Sequence, residues 1–334
     1  MHRFLFVPAL LALCGLAQAQ SCGDTLLHDT TLAADLHCTT GGLDALVAGA
    51  SGITLDLGGH VLSGTLSRGI DASGTTGVKV RNGTIRGFAI GISGTEAHGM
   101  EVEGVVFEDL RFGVSLDDSA GVRVVGNRFE RLVVFGIDLE VFSPKHRGGG
   151  HDLSSNLFQD VGGGVLLCGY ETGGSLIADN QMFKLRYDGI HVYDGSGRNL
   201  VAGNTIGDAR FTGISLRASS GNEITGNVIK RGINGIALIP EAPGYCQGGP
   251  VTGPEVTDNL IYRNSIFEAD MAVELGVNVG KAGTVFHNKV QANKLYYSPI
   301  GVLLNSDAHD NDATGNAYSG TTTPVVDNGS GNVY

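Results

Sequence analysis

Residues 201–216 read Val201-Ala202-Gly203-Asn204-Thr205-Ile206-Gly207-Asp208-Ala209-Arg210-Phe211-Thr212-Gly213-Ile214-Ser215-Leu216, and the wording returns through Ile224, Asn227, Ile229, Gly235 and Ile236. Three apolar positions recur. A first ladder, usually a Gly-Ile or Gly-Val step, runs through Ile70, Ile92, Val114, Ile137, Val165, Ile190, Ile214, Ile236, Val273 and Val302. A second runs through Val80, Val102, Val124, Leu153, Ile177, Val201, Ile224, Ile261 and Val290. Five residues after each member of the second stands a third: Ile85, Phe107, Phe129, Phe158, Met182, Ile206, Ile229, Ile266 and Leu295. Three short alternating segments cannot bury their apolar faces alone. Stacked turn on turn about 4.8 Å apart, they close a shared core. The period of roughly two dozen residues therefore predicts an all-β, three-faced parallel solenoid of about ten to eleven turns.

An asparagine sits two residues before the third ladder at Asn127, Asn156, Asn180, Asn204, Asn227, Asn264 and Asn293. Its amide predicts a hydrogen-bonded ladder at one corner. The Gly-Asn-x-Ile and Gly-Ile-x-Leu phrases resemble those of right-handed parallel β-helix repeat proteins, over about residues 51 to 318. That group holds pectate and alginate lyases, mannuronan epimerases and NosD-like sugar-binding solenoids. The resemblance implies a single-stranded right-handed coil and a carbohydrate ligand, but one fold hosts many chemistries.

The ends read differently. His2 and Arg3 precede an apolar run to Leu16, and Ala17-Gln18-Ala19 suits a signal peptidase, so residues 1–19 are expected as a signal peptide cleaved near Ala19. Secretion or a periplasmic location follows. Residues 20–50 are expected as an N-terminal cap, 51–318 as the solenoid and 319–334 as a C-terminal tail or cap. Of the exported cysteines, Cys22 is expected to pair with Cys38, leaving Cys168 with Cys246. The net charge of −12 argues against nucleic acid as a partner. No stretch after the signal reads as a membrane span. The 53 glycines against 8 prolines indicate tight turns rather than disorder. No cofactor is expected, with calcium left open, and no oligomeric state is assigned.

Spacing locates the site. The first-to-second ladder interval is 10 or 11 in five coils but grows to 16, 12, 25 and 17 after Ile137, Val165, Ile236 and Val273. Insertions at one corner predict a notch whose floor is the coils of Ile190 and Ile214. Strand alternation turns Asp138 and Glu140, His191 and Tyr193, Ser215 and Arg217, and Glu274 outward on that face. The walls would carry Lys145, His146, Arg147, His151, Tyr170, Glu171, Glu241 and Tyr245.

Elimination from a uronic acid needs a neutralised carboxylate, a base and a proton for the leaving oxygen. Arg217, His191 and Tyr193 are the residues expected in those catalytic roles. Asp138, Glu140, Lys145, Arg147, Tyr170, Asp194 and Tyr245 are expected to contact substrate. Tyr187 to Asp194 resembles in setting the epimerase and lyase region around an Asp-Pro-His motif, but that motif is absent here. So are a pectate-lyase calcium cluster and the Gly-His-Gly signature of polygalacturonases. The leading expectation is a polysaccharide lyase or epimerase. A non-catalytic glycan-binding or adhesive solenoid is the alternative, and glycoside hydrolysis by carboxylates a second one.

Overall fold

The computed structural model describes residues 20–40, 42–142, 148–169, 172–240, 255–277 and 284–334. Every element among them is a β-strand, and nearly all join one parallel sheet wound into a right-handed solenoid of about 12 turns. The three ladders fall into register as their spacing requires. Ile92 pairs with Val114, Val114 with Ile137, and the column continues through Val165, Ile190, Ile214, Ile236, Val273 and Val302. These side chains are wholly buried. Phe107, Phe129 and Phe158 stack at 4.8 Å between centroids, one coil on the next.

The glycine of the Gly-Ile step has a steric cause. A Cβ on Gly113 would lie 2.6 Å from the Gly136 carbonyl oxygen and from the Phe129 ring. No side chain fits that corner without moving the neighbouring coil.

The winding starts earlier and ends later than the repeats alone indicate. Asp24–Leu26 pairs parallel with Asp44–Ala48, and Thr323–Asp327 pairs parallel with Ile300–Leu304. Residues 20–50 and 319–334, expected as cap and tail, thus carry strands of the stack itself, which accounts for about 12 turns instead of ten to eleven. Cys22 and Cys38 form the expected disulfide.

The asparagine ladder is present. Asn127 Oδ1 accepts from the Val105 backbone N–H, and from Asn156 to Asn316 each side-chain Oδ1 accepts from the backbone and amide of the preceding member. A second ladder stands at the insertion corner. It links Asn199, Asn222, Asn259, Asn288, Asn311 and Asn332 in the same way. His151 and Ser175 extend this column, with Ser175 Oγ accepting from the His151 backbone N–H and Asn199 Oδ1 from that of Ser175. His151, expected on a wall, is instead a buried ladder residue 2% exposed. No helix among the described residues is long and apolar enough to cross a membrane.

Candidate active site

The face of the first ladder carries the site. Strands Gly163–Cys168, Ile190–Tyr193 and Thr212–Arg217 lie side by side, placing Leu166, His191 and Ser215 in one outward column and Cys168, Tyr193 and Arg217 in the next. His191, Tyr193 and Arg217 line a common cavity of about 650 Å³. Phe135, Asp188, Thr212 and Asn234 help to close it, and Tyr187, Phe211 and Ile233 form an apolar rim. Those three rim residues are each more than 40% exposed.

Two residues apart on one strand, His191 and Tyr193 point the same way. The His191 Nδ1 to Tyr193 hydroxyl distance is 2.8 Å. The Tyr193 hydroxyl donates to Asp188 Oδ2 at 3.4 Å, and Asp188 Oδ1 accepts the Thr212 backbone N–H at 2.9 Å. With its hydrogen directed at a carboxylate, the phenol oxygen accepts from Nδ1–H, which leaves the lone pair of neutral His191 on Nε2. Nε2 is buried with no hydrogen-bond partner among the described residues. Burial, with Arg217 adding to it and Asp188 opposing, lowers the imidazole pKa to about 4. His191 is therefore neutral at physiological pH. The Arg217 guanidinium lies 5.0 Å above the Tyr193 ring, a cation–π contact that fixes it over the cavity.

These side chains leave the solenoid core as alternation requires, yet they are not exposed. His191 is 7% and Tyr193 2% exposed. Phe135 packs edge-on against the imidazole at 4.9 Å. It reaches that far because the next coil has Gly163 beneath its ring, where a Cβ would meet Phe135 at 2.3 Å. Leu166, Cys168 and Tyr193 pack together beside it.

Asp138 and Glu140 are outward on the same face but do not line this cavity. By register Asp138 sits two coils from His191, about 10 Å away. It accepts from Ser115 Oγ at 3.4 Å, and burial, then Glu140 and Asp117, hold its pKa well above the ordinary carboxyl range. Asp117 pairs in register with Glu140, and burial raises it to about 6. Glu140 is raised as well, by burial and Asp117. Asp194 occupies a left-handed corner, φ 50°, and is 2% exposed, outside the cavity lining. Glu274 accepts from Asn234 Nδ2 at 2.7 Å and Asn305 Nδ2 at 2.9 Å. Three register steps separate it from His191. Lys145, His146, Arg147, Tyr170, Glu171, Glu241, Tyr245 and Cys246 lie outside the described residues. Cys168 is disulfide-bonded.

Sequence reasoning missed Asp188, Phe135, Asn234 and Asp117. Asp117 was available at the offset of Glu140, three residues past its ladder position. The other three stand two residues before theirs, where strict alternation would face them inward, and the core-facing glycine of the Gly-Ile step turns them out. No group of three or more potential metal ligands occurs among the described residues.

With this geometry established, comparison with known proteins defines the class. The chain matches the family model described as right handed beta helix region over residues 38–181 and 146–328, and it belongs to that family. No curated protein sequence matches it. Among solved structures it resembles the tailspike protein of E. coli bacteriophage HK620 in complex with pentasaccharide, with TM-score 0.64 and 13% identity over 89% of this chain and 61% of that one. The catalytic domain of a GH87 α-1,3-glucanase in complex with nigerose has TM-score 0.68 and 12% identity over 91% of this chain and 61% of that one. A periplasmic alginate epimerase has TM-score 0.52 and 14% identity over 91% and 76%. The chain thus spans about 60% of the length of the tailspike chains it resembles. At such identities the likeness is one of fold.

Proposed function

We propose that this β-helix acts on a uronic-acid-containing glycan by proton abstraction, leading to β-elimination or epimerisation. The observation that carries the reading is a neutral, buried imidazole whose Nε2 has no partner among the described residues, in one cavity with Arg217. Arg217 would pair with the uronate carboxylate and hold the negative charge that develops there. His191 Nε2 would take the proton from the carbon bearing that carboxylate. In elimination, the freed electron pair forms the ring double bond as the neighbouring C–O bond breaks. The protonated imidazole, strongly acidic in this buried setting, then returns its proton to the leaving oxygen. Tyr193, expected as the proton donor, has its hydroxyl engaged by His191 and Asp188, which supports a role in aiming the imidazole. Nε2 is buried, so substrate must shift a neighbouring side chain to reach it, and Phe135 packs edge-on against the imidazole. Export through residues 1–19 belongs to the same proposal, since extended uronic-acid glycans lie outside the cytoplasm.

Neighbours whose names carry a pentasaccharide, nigerose or alginate support a glycan as ligand. A second reading, glycoside hydrolysis, has one observation in its favour: Asp138 and Glu140 stand two residues apart on one strand and burial raises both pKa values. The two separate by product. Elimination yields an unsaturated uronide that absorbs in the ultraviolet, whereas hydrolysis yields reducing ends without it. Binding to glycans with neither product, and with no exchange of the proton beside the carboxylate into deuterated solvent as epimerisation requires, would leave a non-catalytic solenoid and overturn both.

A further inference from the structure

Asn234 belongs to the cavity but has no part in the chemistry just described. Its side chain is 7% exposed, and Oδ1 has no hydrogen-bond partner among the described residues. The orientation of the amide is set from behind. Glu274 Oε2 accepts from Asn234 Nδ2 at 2.7 Å, and a carboxylate can only accept, so Oδ1 must face away from it. Glu274 is itself held, because Oε1 accepts from Asn305 Nδ2 at 2.9 Å. A buried acceptor without a donor calls for an explanation, and a ligand hydroxyl or amide N–H supplies one.

Position narrows the ligand. Asn234 lies two coils from Asp188 by register and three residues along the strand direction from the His191 column, about 14 Å between backbones. A glycan placing a uronate at Arg217 would reach Asn234 with an adjacent sugar. There it would meet an acceptor oxygen, whose lone pairs disfavour a second uronate carboxylate. It would also meet the half-exposed side chains of Phe211 and Ile233, which suit the C–H face of an uncharged ring.

We propose that Asn234, oriented by Glu274, is a specificity residue that accepts a hydrogen bond from an uncharged sugar, so that the preferred glycan alternates uronate with uncharged residues. This rests on the uronate reading of Arg217. Glu274 is a positioning residue, and its substitution gives the decisive variant. In Glu274→Gln, Asn305 still donates to the retained oxygen, so the new amide nitrogen faces Asn234. Asn234 must then turn, accept from it, and present N–H to the cavity. The acceptor becomes a donor with almost no change of shape.

The test is a binding titration of wild type, Glu274→Gln and Asn234→Ala. The probes are oligosaccharides of hyaluronan and chondroitin, which alternate uronate with N-acetylhexosamine, and oligoguluronate of matched length. Wild type is expected to prefer the alternating probes by tenfold or more. Glu274→Gln should shift that ratio at least tenfold toward oligoguluronate, with a thermal midpoint close to wild type. Asn234→Ala should erase the preference without reversing it. Equal wild-type affinities, or a ratio untouched by both variants, would overturn the proposal while turnover on oligoguluronate left the uronate reading standing. A Glu274→Gln-sensitive preference without turnover in any probe would support Asn234 and remove the catalytic reading. Binding to none of the probes would overturn both.

Discussion

His191 Nδ1 and the Tyr193 hydroxyl stand 2.8 Å apart on one strand, and with Asp188 they make a buried line of hydrogen bonds that ends on a bare imidazole nitrogen. If that line aims a base, Tyr193→Phe should lower turnover about tenfold or more, within the range that a misaligned general base loses. His191→Ala should lower it at least 100-fold. The two are separated by their pH profiles. In wild type the acid limb of kcat/KM is expected near pH 4, where burial has placed the imidazole, and not near 6.5. An acid limb at 6.5 would show that His191 is not the titrating group.

Two buried histidines also shape stability. His151 and His191 are both lowered to about 4 by burial. Between about pH 4 and 6.5 the unfolded chain binds protons that the native one does not. Stability from each is thus complete above 6.5 and lost as pH falls toward 4, by at most about 3 kcal/mol per residue. From the second coil onward, at Asn199, asparagine fills the His151 position. His151→Asn should therefore flatten the acid side of a urea-denaturation series while leaving midpoints near pH 7.5 little changed. An unchanged slope below pH 6 would contradict this.

The carboxyl cluster acts in the opposite direction. Asp138 has its pKa raised by burial and by Glu140, so the native state holds a proton that the unfolded chain releases. Its contribution is present below the ordinary carboxyl range and is lost as pH rises through the raised value. Asp138→Asn should raise the thermal midpoint more at pH 8 than at pH 5, by about 2 °C or more at the higher pH. The reverse ordering would mean that Asp138 is ionised in the fold.

The asparagine ladder offers a purely structural test. Asn204 is wholly buried, accepts from the Asn180 backbone N–H at 3.0 Å and donates to the Ile177 carbonyl at 2.9 Å. Removing it strands at least two buried backbone groups. Asn204→Ala should cost about 2–4 kcal/mol in a chemical denaturation experiment. A cost below about 1 kcal/mol would mean that water replaces the amide.

Much of this architecture was readable from spacing alone, because each inward residue of a solenoid meets its own counterpart on the next coil. Ile190 and Ile214 announce their pairing through equal intervals. The second asparagine ladder was equally available, with Asn199, Asn222, Asn259 and Asn288 each two residues before a second-ladder position. It went unread because His151 and Ser175, which begin the column, are not asparagine. The site divides along similar lines. His191, Tyr193 and Arg217 follow from alternation within a strand. Asp188 and Phe135 do not, since strict alternation would turn them inward, and the glycine of the Gly-Ile step, which also faces the core, breaks that alternation. Burial was beyond reach too: it depends on Phe135 lying across Gly163, a contact between coils 28 residues apart.

The central claim is that His191 and Arg217 act together on a uronate. The most direct measurement is absorbance of the unsaturated uronide when purified protein is mixed with alginate, pectate and glycosaminoglycans. Wild type should generate the chromophore on at least one of them, and His191→Ala and Arg217→Ala should each reduce its rate at least 100-fold while keeping the wild-type thermal midpoint. Chromophore formed at wild-type rates by both variants would contradict the account.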